Sequence, residues 1–156
     1  MSPGGLQLRV RRFEVVSAYR DRGVTLPRRS TPGSAGYDLA AAEDTVIPAG
    51  GVGLVPTGLK VYLPPGEFLA VYIRSGVAVA RGLSLANGVA VIDADYADNP
   101  ANEGHIVLAV YNRSPEPVTV HRGERIAQGI FLAFGLADDD RPGPPRRGGL
   151  GSTGRL

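Results

Sequence analysis

Five short stretches of this chain gather charged, hydroxyl and glycine residues in a way that packing alone does not demand. The densest is "LANGVAVIDADYADN" (residues 85–99), where an apolar run leads into Asp93, Asp95 and Tyr96. In extended backbone, Asp93 and Asp95 point to one side and Tyr96 to the other. A carboxylate with an ordinary pKa is ionised at neutral pH, so either aspartate can orient and deprotonate a water. Spacing does not choose between them. The plain structural reading is a polar strand end, or two carboxylates on a surface cation. In "IRSGVA" (residues 73–78), Arg74, Ser75 and Gly76 end an apolar strand at the start of a possible helix. Free N–H groups, a guanidinium fork and a hydroxyl suit an oligophosphate. An N-cap serine beside a surface arginine is the equal competitor.

The other three stretches are weaker one by one. "PGSAGYDL" (residues 32–39) sets Asp38 behind a Gly-rich turn, which by itself reads as a turn with a local hydrogen bond. "RGERIAQGIF" (residues 122–131) places Arg125 and Gln128 in an otherwise apolar strand. Half-buried polar groups need partners, and a ligand can supply them; otherwise the pair faces solvent from an edge strand. "RRGGLGSTGRL" (residues 146–156) combines glycine backbone that can approach phosphates with donors from Ser152, Thr153 and the arginines. That composition alone is the composition of a flexible tail. His105 and His121 are the two histidines and cysteine is absent, so neither a zinc site nor a disulfide is expected. No G-x-S-x-G elbow and no P-loop is present.

The elements that must carry these residues follow from a period-two apolar pattern. Leu6, Leu8 and Val10 alternate before the parity slips at Arg12-Phe13, which predicts a bulge or bend. Leu59, Val61 and Leu63 alternate around Lys60 and Tyr62, and Val118 and Val120 flank Thr119. "HIVLAVY" puts Ile106, Leu108 and Val110 on one face. "FLAVYI" (residues 68–73) is apolar on both faces, as in a strand buried inside a sandwich. Asn87-Gly88 predicts a hairpin turn, and further turn signals recur at short intervals. One short helix is expected within residues 75–82. The expected fold is therefore all-β: a distorted jelly roll or β-sandwich of short strands, with one short helix and a C-terminal arm. Residues 1–137 form the body, and residues 138–156, which lose nearly all apolar character, form the arm.

At 156 residues and 43% hydrophobic composition, the chain suits one domain with a real core. The net charge is +2, and its arginine clusters are short and lack aromatics, so no nucleic acid is expected as a partner. No run is long enough to span a bilayer and no signal-peptide pattern opens the chain, so a soluble cytoplasmic protein without a membrane partner is expected.

In order and approximate spacing, the five stretches resemble the five motifs of the homotrimeric dUTPase family, across roughly residues 25–154. The resemblance implies a β jelly roll and a homotrimer with three active sites at subunit interfaces. It also implies hydrolysis of dUTP to dUMP and pyrophosphate with Mg2+ on the triphosphate, which keeps uracil out of DNA and supplies dUMP for thymidylate synthesis. Carried residue by residue, it makes Asp38 the water-mediated Mg2+ residue and gives Arg74, Ser75 and Gly76 a grip on the phosphates. Asn87, Val91 and Ile92 would read the uracil edge, and Asp93 would orient and activate the attacking water. Tyr96 would pack on the deoxyribose and exclude a 2'-hydroxyl. Gln128 would bind the phosphate region, with Arg125 a structural or interface partner. The arm would close over a neighbouring site through Arg146 or Arg147, Leu150, Gly151, Ser152 and Thr153.

Three departures from the family pattern stand out. Ile73 replaces a usual proline, and "ADNPANEG" (residues 97–104) lengthens the loop after Tyr96. Leu150 stands where a uracil-stacking phenylalanine is usual, which favours a lid that clamps phosphates over one that stacks the base. Two rival readings accompany this one. A dCTP deaminase of the same fold would need a glutamate where Ala109 stands. A nucleotide-responsive interaction protein would use the long loop to bind a partner.

Overall fold

The computed structural model of the protein describes residues 10–149. Among them are eleven strands and one α-helix. The strands are β1 (Arg12–Val15), β2 (Tyr37–Ala40), β3 (Thr45–Ile47), β4 (Val52–Pro56), β5 (Leu59–Tyr62), β6 (Glu67–Ile73), β7 (Leu83–Leu85), β8 (Ala90–Ile92), β9 (Val107–Asn112), β10 (Val118–Val120) and β11 (Arg125–Ala133). The helix, α1 (Ser75–Arg81), falls where the sequence predicts one and ends at Gly82, whose φ of +64° a side chain would resist. The bulge expected at Arg12-Phe13 does not form: β1 begins at Arg12 and pairs with β5 in unbroken register, while Leu6 and Leu8 lie outside the described residues.

Four small antiparallel sheets make the body. The largest runs β2-β11-β6-β8, a second runs β4-β9-β7, and β1-β5 and β10-β3 are pairs. Strand β6 is flanked by β11 and β8, and Leu69, Ala70 and Val71 are all buried. That placement explains a strand with no polar face. Ile106, Leu108 and Val110 fill the core from the β9 side, joined by Leu39, Ile47, Leu59, Leu83 and Ile126. Buried polar groups are answered: Thr57 donates to the Ile106 carbonyl at 2.6 Å, and Asn112 donates to the Ile47 and Glu116 carbonyls.

Two local expectations are corrected. The Asn87-Gly88 turn forms, with Gly88 at φ +73°, but it closes no hairpin. Strand β7 pairs with β9 while β8 pairs with β6, so this turn carries the chain from one sheet to another. Turn chemistry is local and sheet partners are not, so the dipeptide specifies only the reversal. Lys60, expected on the solvent face of β5, is buried instead, because two carboxylates of the 97–104 loop come to meet it. No helix among the described residues is long and apolar enough to cross a membrane.

Candidate active site

One group of candidate residues gathers where β2, β11 and the end of β6 lie side by side. Gln128 of β11 pairs with Asp38 of β2 on one side and with Tyr72 of β6 on the other. Asp38 is nearly buried, and its carboxylate accepts from Ser30 Oγ at 2.7 Å and from Arg125 Nη1 at 3.2 Å. Arg74 Nε stands 3.5 Å from the other oxygen, and Arg74 Nη1 donates to the Arg125 carbonyl. Arg125 and Gln128 are three residues apart, which in a regular strand puts them on opposite faces. A register shift between Arg125 and Ala127 adds one residue to β11. The bulge restores parity, so both side chains serve the face that carries Gly36 and Asp38. The edge-strand reading of this pair is excluded, because β11 lies between β2 and β6.

Gly36 has its own reason to be glycine. A Cβ there would meet Gln128 Oε1 at 2.4 Å and Gln128 Cβ at 2.9 Å. The amide of Gln128 therefore rests directly on the Gly36 backbone. Ser75 and Gly76 open α1 in full exposure, and nothing lies within 4 Å of a Cβ at Gly76. Two guanidiniums thus meet one carboxylate, with the Gln128 amide on the paired strand and α1 starting directly after Arg74.

A second group lies after β8. Asp93 to Tyr96 is a turn, closed by the Tyr96 N–H donating to the Asp93 carbonyl at 3.1 Å. The segment is thus a reversal and not extended backbone, because the chain must leave β8 and enter the 97–104 loop. The turn still brings both carboxylates to one point: Arg146 donates from Nη2 to Asp93 at 2.5 Å and from Nε to Asp95 at 3.0 Å. Its guanidinium carbon lies 6.0 Å from the centre of the Tyr96 ring. Gly149 sits so close to that ring that a Cβ would stand 2.7 Å from Cε2. Arg146 and Gly149 here belong to the same chain as Asp93, while Arg147 is exposed. Leu150, Gly151, Ser152 and Thr153 lie outside the described residues.

Tyr96 is buried and held at both ends. Its hydroxyl donates to the His105 carbonyl at 2.7 Å and accepts from Asn102 Nδ2 at 2.9 Å. Its own carbonyl accepts from Asn99 Nδ2 at 2.8 Å. The loop that supplies these partners is anchored below by Lys60, which donates to Asp98 at 2.6 Å and to Glu103 at 3.0 Å. Burial opposes the charge on Lys60, but those hydrogen bonds outweigh it and raise its pKa. Hydrogen bonds from Lys60 and Tyr62 lower the pKa of Asp98, and hydrogen bonding with Ser17, then Lys60, lowers that of Glu103.

The two groups do not meet within one chain. Ile92 pairs with Leu69 and Gln128 with Tyr72, so Asp93 lies near the start of β6 and Asp38 beside its end. The offset is about 13 Å along the strands and about 14 Å across them, roughly 20 Å in all. Between them, Asn87 and Val91 are exposed and Ile92 is half-buried. Among the described residues, the outer edge of β8 pairs with no strand, which leaves main-chain donors and acceptors free to read a flat polar edge. No group of three or more His, Asp or Glu residues among the described residues could hold a metal ion directly. Asp38 is a single carboxylate, a donor set that suits a Mg2+ keeping its waters and bound mainly by a ligand's phosphates. Ala109, in the middle of β9, brings no carboxylate for a deaminase proton shuttle.

Sequence reasoning missed Gly36, Ser30, Asn99 and Asn102 as parts of these groups. Gly36 carried a signal, since it lies in the same stretch as Asp38. The others make short-range contacts, Ser30 to Asp38 and Asn99 and Asn102 to Tyr96, which depend on the conformation of the loops that carry them.

Comparison with known proteins agrees with this architecture. A family model described as dUTPase matches residues 22–138. The chain is 46% identical over 149 residues to the deoxyuridine 5'-triphosphate nucleotidohydrolase of Lactococcus lactis, covering 94% of this chain and 99% of that protein. The crystal structure of the Streptococcus mutans dUTPase superposes with a TM-score of 0.78 at 46% identity, covering 81% of this chain and 98% of that one. A D95N mutant dUTPase from phage phi11 of S. aureus, described with the coordination of a structural Mg(II) ion, is 17% identical with a TM-score of 0.69. It covers 85% of this chain and 96% of that one, and at this identity the likeness is one of fold.

Proposed function

Because this chain belongs to the dUTPase family and is accordingly a dUTP diphosphatase, we propose that it hydrolyses dUTP at a site shared between copies of itself, with Asp93 orienting the water. The observation that carries the shared site is the separation of roughly 20 Å between the Asp38 and Asp93 groups in one chain. A nucleoside triphosphate cannot reach both groups of one copy at once in a reacting geometry, which requires contacts of hydrogen-bond length. A homotrimer with each site at an interface brings the Asp93 group of one copy to the Asp38 group of another.

Within that site, Asp93 accepts a proton from a water whose oxygen attacks the α-phosphorus. The new bond is O–Pα and the broken one joins Pα to the bridging oxygen, so pyrophosphate leaves with the electron pair. Arg74, the N–H groups at Ser75 and Gly76, and Gln128 hold the phosphate oxygens and stabilise the charge that grows on them. Arg125 keeps Asp38 in place. Asp38 would be the residue that meets, through water, a Mg2+ carried by the triphosphate, which would supply charge neutralisation. The free edge of β8 with Asn87, Val91 and Ile92 receives the uracil edge, and the braced Tyr96 ring walls off the 2' position. The arm, through Arg146 or Arg147 and residues 150–153, covers a neighbouring site. Arg146, which pairs with Asp93 and Asp95, would have to leave them to hold a phosphate.

Pyrophosphate release from dUTP with Mg2+ tests the assignment. Asp93→Asn should lower kcat by about 10²-fold or more, the usual contribution of a general base. Turnover of this variant within a few-fold of the wild type would remove Asp93 from the role.

A further inference from the structure

We infer that Asn102 is a positioning residue for sugar discrimination, holding the Tyr96 ring as an unyielding wall against a ribose 2'-hydroxyl. This rests on the reading of Tyr96 as that wall. A steric wall rejects a competitor only while it cannot move aside. The hydroxyl is a single oxygen, so a ring that swings by a fraction of an ångström would admit it. What stops the swing is the far end of the ring. Tyr96 Oη is held at two points, by the His105 carbonyl at 2.7 Å and by Asn102 Nδ2 at 2.9 Å.

The amide of Asn102 has one orientation available. Its Oδ1 accepts from Asn99 Nδ2 at 2.7 Å and from the Gly104 N–H at 3.0 Å, so Nδ2 must face the tyrosine hydroxyl. The loop that presents it is stiff. Asp98 and Glu103 both adopt left-handed backbone, at φ +58° and +64°, a conformation that costs energy in residues with side chains. Their carboxylates meet at Lys60, which offsets that cost. The two ends of the loop close tightly: a Cβ at Gly104 would stand 2.6 Å from Ala97 Cα. A strained, internally bonded loop whose Asn102 amide ends on the hydroxyl of Tyr96 is built to fix that hydroxyl. The extra length of residues 97–104 thereby has a task in specificity.

The test compares kcat/KM for dUTP and for UTP in the wild type, Asn102→Asp, Asn102→Ala, Tyr96→Phe, Tyr96→Ala and the Tyr96→Phe/Asn102→Asp double variant, each checked by thermal melting. Asn102→Asp keeps the acceptor for Asn99 and Gly104 but loses the donor to Tyr96. It should lower the dUTP-to-UTP ratio by about fivefold, the equivalent of one neutral hydrogen bond. In the Tyr96→Phe background the same change should leave the ratio where Tyr96→Phe put it. A ratio unmoved in Asn102→Asp while Tyr96→Ala relaxes it would overturn the role of Asn102 and leave the wall intact. If Tyr96→Ala itself leaves the ratio unchanged, the wall fails and this inference with it. Equal losses on both substrates, or loss of the fold in both Asn102 variants, would reduce Asn102 to a structural residue.

Discussion

Gly36 shows how a single hydrogen atom in place of a side chain can set a site. Its backbone is the surface on which the Gln128 amide lies, and a methyl group there would overlap both the amide oxygen and the stem of Gln128. The stem cannot rotate away, so the strands themselves must separate. Gly36→Ala should therefore raise KM for dUTP by about tenfold and cost about 1–3 kcal/mol of stability, as overpacking does. Steady-state kinetics with a thermal melt checks this, and an unchanged KM would mean that Gln128 does not serve the substrate. Gln128 was legible as a polar intrusion in an apolar strand. Gly36 was legible only as part of the turn before Asp38, because its contact is with a residue more than ninety positions away.

At the scale of elements, the turn before β5 and the 97–104 loop are joined through His105. The Gly58 N–H donates to His105 Nε2 at 2.8 Å, an arrangement that needs the neutral imidazole as acceptor. Burial lowers the His105 pKa below its ordinary value of about 6.5, although Glu43 and Glu103 pull it the other way. The folded state therefore binds this proton less readily than the unfolded chain. The associated stability is complete above about pH 6.5 and is lost as the pH falls through the folded value. Denaturant unfolding followed from pH 7.5 to pH 5 should show declining stability over that window, and His105→Asn should flatten the decline. Equal slopes in the two proteins would exclude His105 as the cause. The pattern of "HIVLAVY" predicted the buried face of β9 correctly. Nothing local marked the nearby histidine as a half-buried acceptor.

For the whole molecule, the prediction concerns which copy supplies which residue. If copies of the chain share their sites as proposed, Asp93→Asn and Arg74→Ala should each be nearly inactive alone, since each removes its residue from every site. If each site draws Asp93 from one copy and Arg74 from another, dissociating and reassembling an equal mixture restores intact pairs. Chance assortment in a closed oligomer then returns roughly a quarter of the wild-type turnover. A mixture that stays inactive after verified exchange of subunits would place both residues in one copy's site, against the distance across the β2-β11-β6-β8 sheet.

The sequence by itself determined what is local. Alternating apolar residues marked the strands, Arg74-Ser75-Gly76 marked the start of α1, and glycine-rich reversals marked the turns, because backbone preference and side-chain period act over a few residues. It also marked five chemically suggestive stretches in the order of a known family. Only the tertiary structure decided how these were joined: β7 and β8 to different sheets, Lys60 to the interior, Arg125 and Gln128 to one face through a bulge. It alone set the Asp38 group and the Asp93 group at opposite ends of β6. Each of these outcomes is settled by which distant strands pair and in what register, an energy shared across the whole fold that no short stretch contains.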